Sequence, residues 1–66
     1  MKISYNKLWK LLIDKKMKKK DLKEITGMSS SSIAKLSKDE PVNLELLYKI
    51  CVALKCNIED IVEFVF

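Results

Sequence analysis

The chain of 66 residues has no histidine and no arginine, one glycine, one proline and two cysteines. Without histidine it lacks the usual general base near neutral pH and the commonest metal ligand, so an enzyme is not expected, and neither is a metal or other cofactor. One Gly and one Pro leave little room for hairpins. No apolar run approaches the length of a membrane span, and the segment after Met1 has no leader-like apolar stretch, so a soluble protein of the reducing cytoplasm is expected. Cys51 and Cys56 lack CxxC spacing. On a continuous helix they would stand about 7.5 Å apart in rise and about 140° apart in rotation, which predicts two free thiols on different faces, Cys51 filling the core and Cys56 near the chain's end.

What is present is lysine, 13 in all, and its distribution is uneven. Residues 1–38 hold eleven lysines and three acids, a balance of +8, and residues 39–66 hold two lysines and six acids, a balance of −4. A basic half of that size is the footprint of a polyanion binder, although a solvated lysine run at a helix junction would give the same local pattern.

Apolar spacing predicts one domain of five short helices over residues 1–66. In the first, from Asn6 to about Lys16, residues Tyr5, Leu8, Trp9, Leu11, Leu12 and Ile13 share one wide face at about 100° per residue. The second runs from about Lys19 to Thr26 with Leu22 and Ile25 three apart. It stops at Gly27, where a left-handed cap favours a residue without Cβ. Ser29 is a strong N-cap for a third helix reaching about Lys38. Ile33 and Leu36 mark its buried side, and Ser31, Ala34, Lys35 and Lys38 fall together opposite, with Ser30 at the edge. That outer face is narrow, short-chained and basic, shaped to approach another surface closely. Asp39, Glu40 and Pro41 end the helix. Asn43 caps a fourth with Leu44, Leu47, Ile50, Cys51 and Leu54 at core spacing, and Asn57 caps a fifth from Ile58 to about Val65.

The stretch Met17, Lys18, Lys19, Lys20, Asp21, Leu22, Lys23, Glu24, Ile25, Thr26, Gly27, Met28, Ser29 closely resembles the helix-turn-helix of the phage Cro and C1 repressor family, also called the XRE family. The run from Pro41 to Ile61 is similar to that family's last two helices, and the resemblance covers about residues 6–63, with its helix-turn-helix core at about 17–38. It implies an all-α, five-helix lambda-repressor-like fold, double-stranded DNA as ligand and the third helix in the major groove. Carried over by position, it places base contacts at Ser30, Ser31, Ala34 and Lys35 and phosphate contacts at Lys19, Ser29 and Lys38. The chemistry is compatible: Lys can donate to guanine, Ser can donate or accept, and Ala can pack on a thymine methyl.

Two departures stand out. Where many relatives pair an Arg with a Glu, this chain has Leu12 and Ser37. Where relatives cap the second helix with Thr, Ser or Asn, it has Lys18, which predicts fraying at that end. The expected function is a sequence-specific transcriptional regulator, a repressor. The alternative is a protein-interaction module, antitoxin-like or an anti-activator partner, on the same fold. The apolar stub 63–66 predicts either a homodimer seam, formed by Ile61, Phe64 and Phe66, or a segment folded back on the first helix near Ile3 and Tyr5.

Overall fold

A computed structural model describes residues 2–66. In chain order the elements are a strand β1 (Lys2–Ser4), helices α1 (Asn6–Asp14), α2 (Lys19–Thr26), α3 (Ser30–Ser37) and α4 (Leu44–Leu54), a single 3-10 turn (Ile58–Asp60) and a strand β2 (Glu63–Val65). The described residues form four α-helices, not five.

The core is built from the apolar faces anticipated for these helices. Leu8 and Leu12 of α1, Leu22 of α2, Leu36 of α3, and Leu47, Ile50 and Leu54 of α4 are buried, joined by Tyr5, Met28 and Ile61. The edges of the expected faces differ. Ile13, Ile25 and Leu44 are exposed rather than core residues. Each lies at the margin of its stripe, and short helices packed at an angle cover only the centre of an apolar face.

Helix ends are fixed by specific groups. Ser29 caps α3, its Oγ accepting from the Ser32 N–H at 3.3 Å, and Asn43 caps α4, its Oδ1 accepting from the Leu46 N–H at 2.8 Å. The start of α2 is not left open as the Lys18 substitution predicted, because the Asp21 carboxylate accepts from the Lys18 N–H at 2.8 Å. Lysine has no acceptor, so the side chain three residues on performs the half of the capping box it can. Gly27 closes α2 in the left-handed region at φ 71°, as expected.

The expected fifth helix is the main correction. After α4 the chain turns at Lys55, itself left-handed, and makes only the 3-10 turn before extending. Asn57 does not cap through its side chain; instead its N–H donates to Asp60 Oδ2 at 2.9 Å. β2 then pairs antiparallel with β1 in the register Lys2↔Val65, Ile3↔Phe64, Ser4↔Glu63. The terminal stub therefore folds back beside Ile3, as one of its two expected arrangements had it, but it pairs with the strand before α1 rather than with the first helix itself. Ile61 is fully buried in the core and cannot form a dimer seam, so that assignment is withdrawn; Phe64 and Phe66 remain exposed.

The turn at Lys55 also overturns the expected separation of the cysteines. The Cys56 N–H donates to the Cys51 carbonyl at 3.0 Å, and both cysteines line one groove. Both remain free. Burial first, then the neighbouring Cys51, push the Cys56 thiol up from 9.0 to about 11.

Candidate nucleic-acid interface

The position of α3 is set from both ends. At its start, the α2 turn at Gly27 and the buried Met28 deliver the chain to the Ser29 cap. Beyond its end, the buried Tyr5 reaches across from the start of α1: its hydroxyl donates to the Glu40 carbonyl at 2.8 Å and its N–H donates to Asp39 Oδ1 at 3.2 Å. Burial pushes the Tyr5 phenol pKa up, and the Asp39 carboxylate adds to the shift. The helix is thus anchored by Leu36 below and by Tyr5 past its C-terminus, which leaves its other face free.

All seven positions singled out in the sequence, Lys19, Ser29, Ser30, Ser31, Ala34, Lys35 and Lys38, are exposed. Five lie on α3 or are its cap at the start, Lys38 immediately follows it, and Lys19 opens α2. The serines are ordered by one another: Ser29 Oγ lies 2.9 Å from Ser31 Oγ and 3.2 Å from Ser32 Oγ. Such a cluster holds hydroxyl groups that can rotate to donate or accept without moving the backbone.

Two lysines act as struts between helices, and sequence reading missed both contacts. Lys23, in the last turn of α2, donates to Ser30 Oγ at 2.6 Å across the turn. Lys19 lies with its Nζ 4.4 Å from the centroid of the Trp9 ring and donates to Ser37 Oγ at 3.0 Å. One ammonium therefore connects α1, α2 and α3. Cation–π contact of this exposed kind contributes about 0.5–1 kcal/mol. Its effect here is to hold the Lys19 charge beside α3 rather than leave it sweeping through solvent. Neither contact follows a helical spacing, since each spans two elements; the available signal was only the presence of a lone Trp and a lysine opening α2. Ser37, noted as replacing an acid of the family's ion pair, accepts the Lys19 bond, and its former partner position, Leu12, is core.

The lysines of α2 and α3 provide the positive charge, the serines provide short adaptable donors, and Ala34 leaves a low floor between Ser31 and Lys35. This surface suits a polyanion with readable edges. Comparison with known proteins decides its class: the family model of the Cro/C1-type HTH DNA-binding domain matches residues 7–66. The chain belongs to the Cro/C1-type helix-turn-helix family. A crystal structure of the transcriptional regulator VanUg is similar to this Cro/C1-type domain with a TM-score of 0.91 and 55% sequence identity, over 94% of this chain and 83% of that one. A search of curated proteins found no match. No helix among the described residues is long and apolar enough to cross a membrane.

Proposed function

We propose that the chain is a sequence-specific DNA-binding transcriptional repressor, acting as a homodimer in the cytoplasm without catalysis. α3 enters the major groove, with Ser30, Ser31, Ala34 and Lys35 at base edges and Lys19, Ser29 and Lys38 on phosphates. The observation that carries this reading is the exposed face of α3, short-chained in its floor and flanked by lysines, in a member of a DNA-binding family. The likeness to a protein described as a transcriptional regulator supports it. Repression needs only occupancy of a promoter, which a domain of this size provides by occlusion.

Without arginine the surface has no bidentate fork for guanine, so phosphate contacts and duplex shape carry a larger share of recognition than in an Arg-bearing relative. Selection from a pool of random duplexes at two salt concentrations tests the proposal. It should enrich one motif with two-fold symmetry, and Lys35→Glu should abolish the enrichment while leaving the fold and self-association intact. Recovery of no motif by folded protein would reject the reading and favour the protein-interaction alternative.

A further inference from the structure

The exposed side of α4 carries an apolar strip that the fold does not use. Leu44, Tyr48 and Val52 follow one another at four-residue spacing and are 69%, 67% and 58% exposed, and Ile58 of the 3-10 turn continues the strip. They border a groove of about 870 Å³ that runs on to Cys51 and Cys56. Glu45 and Lys55 line the same groove, one near each end of the helix.

We infer that this groove is the seam of a homodimer in which α4 packs antiparallel against α4 of a second copy. The argument is one of self-complementarity. Glu45, Tyr48 and Val52 of α4 are spaced three and four apart, the seam pattern of two helices packed side by side, and Lys55, the left-handed residue that closes the helix, lines the same groove. A two-fold axis level with Ile50 places residue 45 opposite 55 of the partner and 48 opposite 52. Each Glu45 then meets a lysine of opposite charge, each Tyr48 meets a Val52, and Leu44 enters the Cys51/Cys56 end of the partner's groove. The charge pair and the apolar pair each occur twice, as an isologous interface requires. The parallel arrangement would set Glu45 against Glu45 and Lys55 against Lys55, so the charges select the antiparallel one. Over the roughly 15 Å between residues 45 and 55, the seam is apolar in the middle and charged at both ends.

The groove includes no residue of α1, α2 or α3, so this pairing leaves the lysine and serine face free. It also leaves Phe64 and Phe66 outside, which moves the seam from the terminal stub to α4. The proposal deepens the homodimeric reading given above and is tested without DNA, so its failure is distinct from a failure of DNA binding.

Sedimentation equilibrium over a concentration series provides the test, with helicity checked by circular dichroism. The unmodified chain should dimerise, and Tyr48→Glu, a change at an exposed site, should sediment as a folded monomer. Glu45→Lys and Lys55→Glu should each weaken dimerisation by about tenfold, because each sets two pairs of like charges face to face. Combining them should restore it to within about threefold of the original, since both pairs re-form with signs exchanged. Glu45→Lys also removes the exposed 3.9 Å contact of Glu45 with Lys49, but that loss persists in the double variant, so rescue isolates the contact between copies. A monomer at concentrations up to about 1 mM would overturn the proposal. So would a dimer that survives Tyr48→Glu but is lost in Phe64→Ser with Phe66→Ser, or two charge reversals that simply add.

Discussion

At the scale of single residues, the side chains that matter most to this domain hold other groups in place. Tyr5 is buried for its ring, yet its hydroxyl and amide fix the loop that follows α3. Lys19 rests on Trp9 and bonds Ser37, so its charge is held in place beside α3. Cys56 gives a prediction in pH. Its folded value of about 11 stands above the usual 9.0 because burial and Cys51 favour the neutral thiol. The stability this contributes is therefore intact below pH 9.0 and is lost as pH rises through about 11. Tyr5, also raised, adds loss in the same direction above its ordinary 10.0. Urea denaturation midpoints should stay level up to pH 9 and fall beyond it, and Cys56→Ala should flatten the first part of that fall. A midpoint that climbs through this window would show that the thiol is not held neutral by the fold.

At the scale of elements, every helix is closed by a residue in the left-handed region: Lys16 after α1, Gly27 after α2, Asp39 after α3 and Lys55 after α4. Only one of the four is glycine, and a side chain in that region costs about 1 kcal/mol or more. Gly27 is at the turn that sets α3 against α2, and a Cβ added there would meet nothing within 4 Å. Gly27→Ala should thus cost about 1 kcal/mol from backbone conformation alone, measured by urea denaturation. A loss of 3 kcal/mol or more would mean that the turn packs more tightly than its geometry indicates.

The same scale explains what could be read in advance. The helices up to Leu54 were legible because apolar spacing, Ser29, Asn43 and Gly27 agree with one another along the chain. The segment after Lys55 was not. Ile58, Ile61 and Val62 fit a helical pattern over so few residues that they fit other structures equally well, and the decision was made by pairing with Lys2–Ser4 at the opposite end of the sequence. A non-local partner leaves no mark in a local period. The cysteine separation failed for the same reason, since it assumed a helix that Lys55 ends. In the candidate site the exposed positions were legible from α3's two-sided pattern, whereas the Lys23 to Ser30 and Lys19 to Trp9 contacts depend on interhelical geometry that no spacing encodes.

At the scale of the whole molecule, charge and size set the mode of action. Eleven of the 13 lysines lie in residues 1–38, which build α1 to α3, and six of the nine acids lie in residues 39–66, an asymmetry that orients the domain as it approaches a polyanion. The molecule spans 31 Å in its longest direction, less than one DNA turn of about 34 Å, so in the proposed dimer one copy would cover one half-site and a pair two. The central claim is that the α3 face binds duplex DNA, and titration of the selected duplex across a range of salt tests it most directly. Affinity of the unmodified protein should fall by about 10³ to 10⁵ between roughly 50 and 200 mM salt, for about 6 to 10 phosphates neutralised per dimer. Lys35→Ala should weaken binding by about 1–3 kcal/mol at each salt concentration and relax the preference at one base pair, whereas Lys19→Ala should lower the salt slope by about one per half-site. A flat salt response, or a Lys35→Ala variant that binds the selected duplex as tightly and as selectively as the original, would contradict the account.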